Sequence, residues 1–191
     1  MSTTTDPRPG FALALDQAGR IIDAVDPSQY GLPTPCDDYD VQTLLGHFIA
    51  VIRRIDLALN GGIPMELPTV VTGIDDYPAE WKTGREALDH TLAPDDVLAR
   101  TCTLPWGVAP GAAAIGGYTA ELTTHGWDLA TAIGRTDLLN EDLARACLPM
   151  IRQFLPADPR GGPIPFAPVV DVPADAPVYD QLAGWMGRNP R

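Results

Sequence analysis

Between Asp40 and Asn60 the apolar residues Val41, Leu44, Leu45, Phe48, Ile52, Ile55 and Leu59 recur every three or four positions, which stacks them along one side of an α-helix. A stripe of this kind is stable only when other helices cover it, so the segment commits the chain to helix-on-helix packing. Asp40 supplies an N-cap, and Asn60-Gly61-Gly62 supplies a stop. His47, three residues after Leu44, falls beside the stripe and therefore faces the interior or its edge.

The rest of the chain supplies the partners. Asp6-Pro7 starts a helix carrying Phe11, Leu15, Ala18, Ile22 and Val25, which ends before Asp26-Pro27-Ser28. Tyr30-Gly31-Leu32-Pro33-Thr34-Pro35-Cys36 reads as an ordered loop, as do residues 64–76. Trp81, Leu88 and Leu92 mark a less regular third helix that Pro94 stops, and residues 100–110 suit a short extended piece or a hairpin. A fourth helix spans 111–133, with Gly134 as a left-handed cap. Asn140 caps a fifth through Leu155, in which Pro149 predicts a kink. After the proline-rich Pro163-Ile164-Pro165-Phe166-Ala167-Pro168 only a short amphipathic piece, Tyr179 to Met186, remains. The expected fold is all-α: a helical bundle over 1–156, and a tail, 157–191, packed on it.

The net charge of -12 and the lack of a Lys/Arg cluster argue against nucleic acid or an anionic membrane surface as partner, leaving small molecules or proteins. Met1 to Pro9 shows no basic region followed by an apolar core, and no stretch reaches the length of a membrane span, so a cytoplasmic protein is expected. Cys36, Cys102 and Cys147 are odd in number and scattered, which fits reduced thiols and not a disulfide framework.

The chemistry concentrates in Tyr118-Thr119-Ala120-Glu121-Leu122-Thr123-Thr124-His125-Gly126-Trp127-Asp128-Leu129. Glu121 and His125 are four residues apart and share a helix face. With His47 from a facing helix they make two nitrogens and a carboxylate, a set that suits Zn(II) with an open position. Non-haem Fe(II), Ni(II) and Mn(II) accept the same donors, and a buried Glu–His hydrogen bond would also satisfy the spacing. Asp128 follows His125 by three and either accepts its second ring N–H or lies on the surface. Arg53 and Arg54, one to two turns beyond His47, are candidates to grip a substrate or cofactor carboxylate, against the alternative of a solvent salt bridge. Cys36 precedes a helix N-terminus, but Asp37, Asp38 and Asp40 oppose a thiolate there, so it reads as a packed loop cysteine. His90 reads as a surface histidine and Trp127 as packing. No phosphate loop, dinucleotide fingerprint, nucleophile elbow or His-Glu-x-x-His motif occurs.

Pro33-Thr34-Pro35-Cys36, Tyr39 before Asp40-Val41, Leu44-Leu45-Gly46-His47 and Glu121-Leu122-Thr123-Thr124-His125-Gly126-Trp127-Asp128-Leu129-Ala130 together resemble the actinobacterial DinB-like metal-binding proteins. These are similar to the metal-binding domain of mycothiol-dependent maleylpyruvate isomerase. The tail, from Pro165-Phe166-Ala167-Pro168 to Gly187-Arg188-Asn189-Pro190, looks like the closing segment of the shorter, single-domain branch. The resemblance implies a DinB/YfiT-like four-helix bundle holding a divalent metal, usually zinc, on His47, Glu121 and His125. It also implies a low-molecular-weight thiol such as mycothiol in the open position, and homodimers are common among similar proteins. The isomerase carries a further C-terminal domain where this chain has a short tail, so its own substrate is not expected here. Three functions remain open: a metal- and thiol-dependent transferase or isomerase acting on a small electrophile, a metal-dependent hydrolase using bound water, and a non-enzymatic metal- or ligand-binding protein.

Overall fold

Four helices cross-pack around α4 (Gly111–Ala132), the fourth of six α-helices among the described residues. The computed structural model describes residues 6–162 and 166–190; Met1 to Thr5, the Pro163-Ile164-Pro165 part of the tail and Arg191 lie outside it. α1 (Arg8–Asp23) and α2 (Val41–Leu59) pack on α4, and α3 (Tyr77–Leu92) closes the bundle against α1 and α2. α4 is buried on every side from Leu122 to Ala130. α2 is likewise buried all round from Leu44 to Ile52 and becomes one-sided toward its C-terminal end, where Ile55, Ala58 and Leu59 are buried and Arg53, Asp56 and Leu57 are not; its Leu44, Leu45, Phe48, Ile49, Ile52, Ile55 and Leu59 are all fully buried. Burial of a side chain of this size contributes about 1.5–3 kcal/mol.

The boundaries follow the local chemistry. Asp40 Oδ1 accepts from Thr43 N (2.8 Å) and Asp76 Oδ1 from Ala79 N (2.9 Å), capping α2 and α3; α1 has Pro7 at its N-cap, one residue after the Asp6 expected there, and Asp6 Oδ1 accepts from Arg8 N (2.9 Å). Gly61 and Gly134 adopt positive φ just beyond α2 and α4, as a left-handed terminator requires. α3 is one continuous helix, and its sequence looked irregular because it buries only Tyr77, Trp81 and Leu88. Residues 101–110 take the second of the two forms expected, an antiparallel hairpin of β1 (Thr101–Leu104) and β2 (Gly107–Pro110). Cys102 and Leu104 turn inward while Thr101 and Thr103 face out.

α5 (Glu141–Phe154) runs through Pro149, with Asn140 Oδ1 capping Asp142 N (3.0 Å). α6 (Val178–Trp185) fills the amphipathic stretch of the tail and, with α5 and one side of α4, encloses a second apolar cluster that includes Trp127, Cys147, Leu148, Leu182 and Met186. Gln17 joins the two parts: its Nε2 donates to the Tyr179 hydroxyl (3.1 Å) and its Oε1 accepts from Asn140 N (2.6 Å). Tyr179 donates in turn to Asn140 O (3.1 Å), so the hydroxyl of this buried tyrosine is satisfied, and both ends of the wholly buried Gln17 amide are paired. No helix among the described residues is long and apolar enough to cross a membrane.

Candidate metal centre

The α2 stripe turns His47 toward α4, and the spacing i, i+4, i+7 sets Glu121, His125 and Asp128 along the α4 face that receives it. Glu121 Oε1 lies 3.1 Å from His47 Nε2 and 3.6 Å from His125 Nε2. The two imidazoles meet edge to face, with centroids 4.8 Å apart. One ligand atom from each of the three residues falls within 4.8 Å of the other two.

The far side of each ring decides what this convergence can do. His47 Nδ1 lies 2.7 Å from Thr69 O, and a carbonyl only accepts, so Nδ1 carries the proton. In the neutral ring Nε2 then presents a lone pair to a carboxylate oxygen. Two acceptors 3.1 Å apart need a positive centre between them, a second proton on the ring or a cation. His125 repeats the arrangement: its Nδ1 lies 3.0 Å from Asp128 Oδ2, a close ion-pair contact that lacks hydrogen-bond alignment. Asp128 is fully buried, which sets aside the surface alternative.

A loop and the tail hold these outer partners in place. Residues 64–71 cross α2 at Gly46, where Val71 N donates to Gly46 O (3.1 Å). A Cβ at Gly46 would run into Val71 O and Val70 Cγ1, so only glycine lets the loop bring Thr69 O to His47. Arg188 grips Asp128 with both arms of its guanidinium, Nη2–Oδ2 3.0 Å and Nε–Oδ1 3.3 Å.

The electrostatics agree with a site waiting for positive charge. Burial alone would raise the Glu121 carboxyl, but hydrogen bonds and charge from His125 and His47 hold it well below the usual carboxylate range. Burial opposes charge on His125 as well, yet Asp128 and Glu121 lift it to about 9. Asp128 is likewise held low against its burial by His125 and Arg188. Glu121 keeps 34% of its side-chain surface open, against 8% and 10% for the histidines, so the cluster opens to solvent along the carboxylate. The Tyr39 ring stands over the histidines, 5.2 Å from His47 and 6.2 Å from His125. The donor set, the outer partners on both Nδ1 atoms and the open side fit a divalent metal with an exchangeable position.

The other candidates separate. Arg53 pairs with Glu80 (2.6 Å) on the exposed face of α2. Arg54 turns to the loop, donating to Pro64 O (2.9 Å) and Leu67 O (3.2 Å). Cys36 is half-buried behind the centre, its sulfur within 4.8 Å of donor atoms of His125 and Asp128. Burial pushes its thiol up, partly countered by Arg188. His90 is exposed, and Trp127 packs in the second cluster. Sequence reasoning assigned no role to Thr69 or Arg188. Thr69 acts through a backbone carbonyl and has no residue signature; the glycine next to His47 is the trace it leaves.

Residues 11–130 match the family described as the mycothiol maleylpyruvate isomerase N-terminal domain. The chain belongs to that family. The matched span contains His47, Glu121, His125 and Asp128, while Arg188 lies beyond it. Two uncharacterized proteins of Mycobacterium tuberculosis, from strains CDC 1551 / Oshkosh and ATCC 25618 / H37Rv, are each 31% identical over 186 residues, covering 97% of this chain and 100% of theirs. Among solved structures, that of the mycothiol-dependent maleylpyruvate isomerase is similar at 17% identity, with a TM-score of 0.49, covering 78% of this chain and 70% of that one.

Proposed function

We propose that the protein is a metal- and low-molecular-weight-thiol-dependent transferase or isomerase acting on a small electrophile, with a divalent metal on His47, Glu121 and His125 and mycothiol as the thiol. The observation that carries this reading is the pair of histidines whose Nδ1 atoms are engaged from behind, by Thr69 O and Asp128, while both Nε2 atoms converge on one oxygen of Glu121. His47, Glu121 and His125 would hold the cation, zinc by preference and nickel, iron or manganese by the same donor chemistry, and when bound it would supply the positive charge that lowers the pKa of a thiol placed beside it.

The chain's own residues do the rest. Thr69 O keeps the His47 imidazole in the tautomer that offers Nε2 as a lone pair, and Asp128 Oδ2, 3.0 Å from His125 Nδ1, places negative charge where a proton on that nitrogen would be favoured. Arg188 compensates the buried charge of Asp128. The exposed edge of Glu121 leaves a side through which thiol and electrophile enter, with Tyr39 as a wall over the imidazoles. Membership of a mycothiol-related family supports the thiol; the lone-pair geometry supports the metal.

The test incubates zinc-loaded protein with mycothiol and a panel of small electrophiles and follows thiol consumption and product by mass spectrometry. Turnover that requires both zinc and thiol is expected. Turnover without thiol would replace this reading by a hydrolase, and full zinc occupancy with no turnover across the panel would replace it by a binding protein.

A further inference from the structure

Cys36 stands behind the metal centre with no part in the chemistry described so far. Its backbone is fixed in the turn before α2: Thr34 Oγ1 accepts from Cys36 N (3.2 Å), and Cys36 O accepts from Tyr39 N (2.9 Å). The half-buried sulfur lies within 4.8 Å of a donor atom of His125 and of Asp128, and those two atoms lie within the same distance of each other. The other two thiols are spent inside the core, Cys102 on Arg100 O (3.7 Å) and Cys147 on Thr123 Oγ1 (3.6 Å).

His125 Nδ1 gives a second and independent sign of a ligand. The residue is 8% exposed, and Nδ1 is buried without a hydrogen-bond partner, because its 3.0 Å contact with Asp128 Oδ2 lacks the alignment of a hydrogen bond. A buried nitrogen in this state calls for an explanation. Nε2 of the same ring faces Glu121, so Nδ1 is the atom on the Asp128 side. Arg188 does not exhaust Asp128: a carboxylate has about four lone-pair sites, and the guanidinium takes one on each oxygen. Sulfur, nitrogen and oxygen ligands of a tetrahedral zinc-like ion stand about 3.3–3.6 Å apart, so separations of at most 4.8 Å close with side-chain shifts of roughly 1 Å. The thiolate gives this set a preference for thiophilic ions that the His47, Glu121 and His125 donors lack.

We propose that Cys36 Sγ, His125 Nδ1 and an oxygen of Asp128 form a second metal position, which takes a thiophilic divalent cation and competes with the first cluster for His125. On binding, the thiol proton leaves to solvent, and the ring proton moves from Nδ1 to Nε2, where Glu121 Oε1 faces it at 3.6 Å. No electron is transferred. A neutral imidazole has one lone pair, so a ring bound through Nδ1 no longer offers Nε2 to the first cluster. The position itself needs only Cys36, His125 and Asp128; the competition rests on the metal-centre reading.

Cadmium(II) is the probe, read by the sulfur-to-cadmium charge-transfer absorption in the ultraviolet and, in zinc-loaded protein, by zinc released to a chromogenic chelator. The wild type is expected to show the band and to release its zinc as cadmium is added. Cys36→Ser should abolish the band and raise the cadmium needed for zinc release by about tenfold or more. His47→Ala, which lacks a donor of the first cluster, should keep the band. No band in either wild type or His47→Ala, or a band that survives Cys36→Ser, would overturn the second position. A band with zinc fully retained would overturn the competition. A band in wild-type protein that takes up no zinc would sink the metal centre and leave the second position standing. Should Cys36→Ser not fold, alkylation of the wild type mapped by mass spectrometry decides: cadmium should slow the reaction of Cys36 by about tenfold or more where zinc does not, and equal rates with both metals would overturn the proposal.

Discussion

Gly46→Ala tests whether the loop that reaches His47 is built on a single missing methyl group. The new Cβ would meet the backbone carbonyl of Val71, which cannot rotate away, and Val70 Cγ1 at 2.9 Å. The loop must therefore lift, breaking the Val71 N–Gly46 O hydrogen bond of 3.1 Å, about 1 kcal/mol. Overpacking adds about 1–3 kcal/mol, and the better helix propensity of alanine returns up to about 1 kcal/mol. The net expectation is a loss of about 1–3 kcal/mol in urea denaturation of the zinc-free protein. Lifting the loop also withdraws Thr69 O from His47 Nδ1, and loss of such an outer partner lowers zinc affinity by about 10- to 100-fold in a chelator competition. Gly116→Ala is the matched control: its Cβ would meet only Met150 Sδ at 3.6 Å, ordinary contact, so stability should hold or rise by about 0.5–1 kcal/mol. A Gly46→Ala protein with wild-type stability and wild-type zinc affinity would refute the role of the loop.

Arg188→Met leaves the fully buried Asp128 carboxylate with His125 as its remaining charged partner, and a loss of about 3–5 kcal/mol in chemical denaturation is expected; a change below about 1 kcal/mol would show that the tail does not hold Asp128. Asp128→Asn should instead fold but bind zinc about 10- to 100-fold more weakly, as read by the same competition, and unchanged affinity would remove Asp128 from the site. In zinc-free protein, His125 has its pKa raised from 6.5 to about 9, so the stability it contributes is fully present below pH 6.5 and is lost as pH rises through 9. The difference in melting temperature between wild type and His125→Gln should shrink over that window. Zinc must displace the same proton, so its apparent affinity should climb across it, and two flat profiles would contradict the assignment.

Much of the bundle can be read from residue spacing because its helices carry their own instructions. The α2 stripe, the caps at Asp40 and Asn140 and the stops at Gly61 and Gly134 are local chemistry, and they appear where they act. The i, i+4 relation of Glu121 and His125 is equally local, and the covering of α2 by α4 brought His47 to them. The missing parts are those in which distant backbone does the work. A carbonyl from Thr69 and a guanidinium 60 residues from Asp128 leave no periodic signal. Arg53 and Arg54 are adjacent and chemically identical in sequence; only the rotation of α2 sends one to Glu80 at the surface and the other to the loop beside the centre. α3 looked irregular for a related reason, since a half-exposed helix needs few apolar residues.

Metal content of the freshly purified protein, compared between wild type, His47→Ala and His125→Ala by elemental analysis, bears most directly on the claim that these residues form a metal centre. About one equivalent of divalent metal in the wild type and a small fraction of that in both variants is the predicted result. Equal metal in all three, or none in wild type even after incubation with zinc, would contradict it.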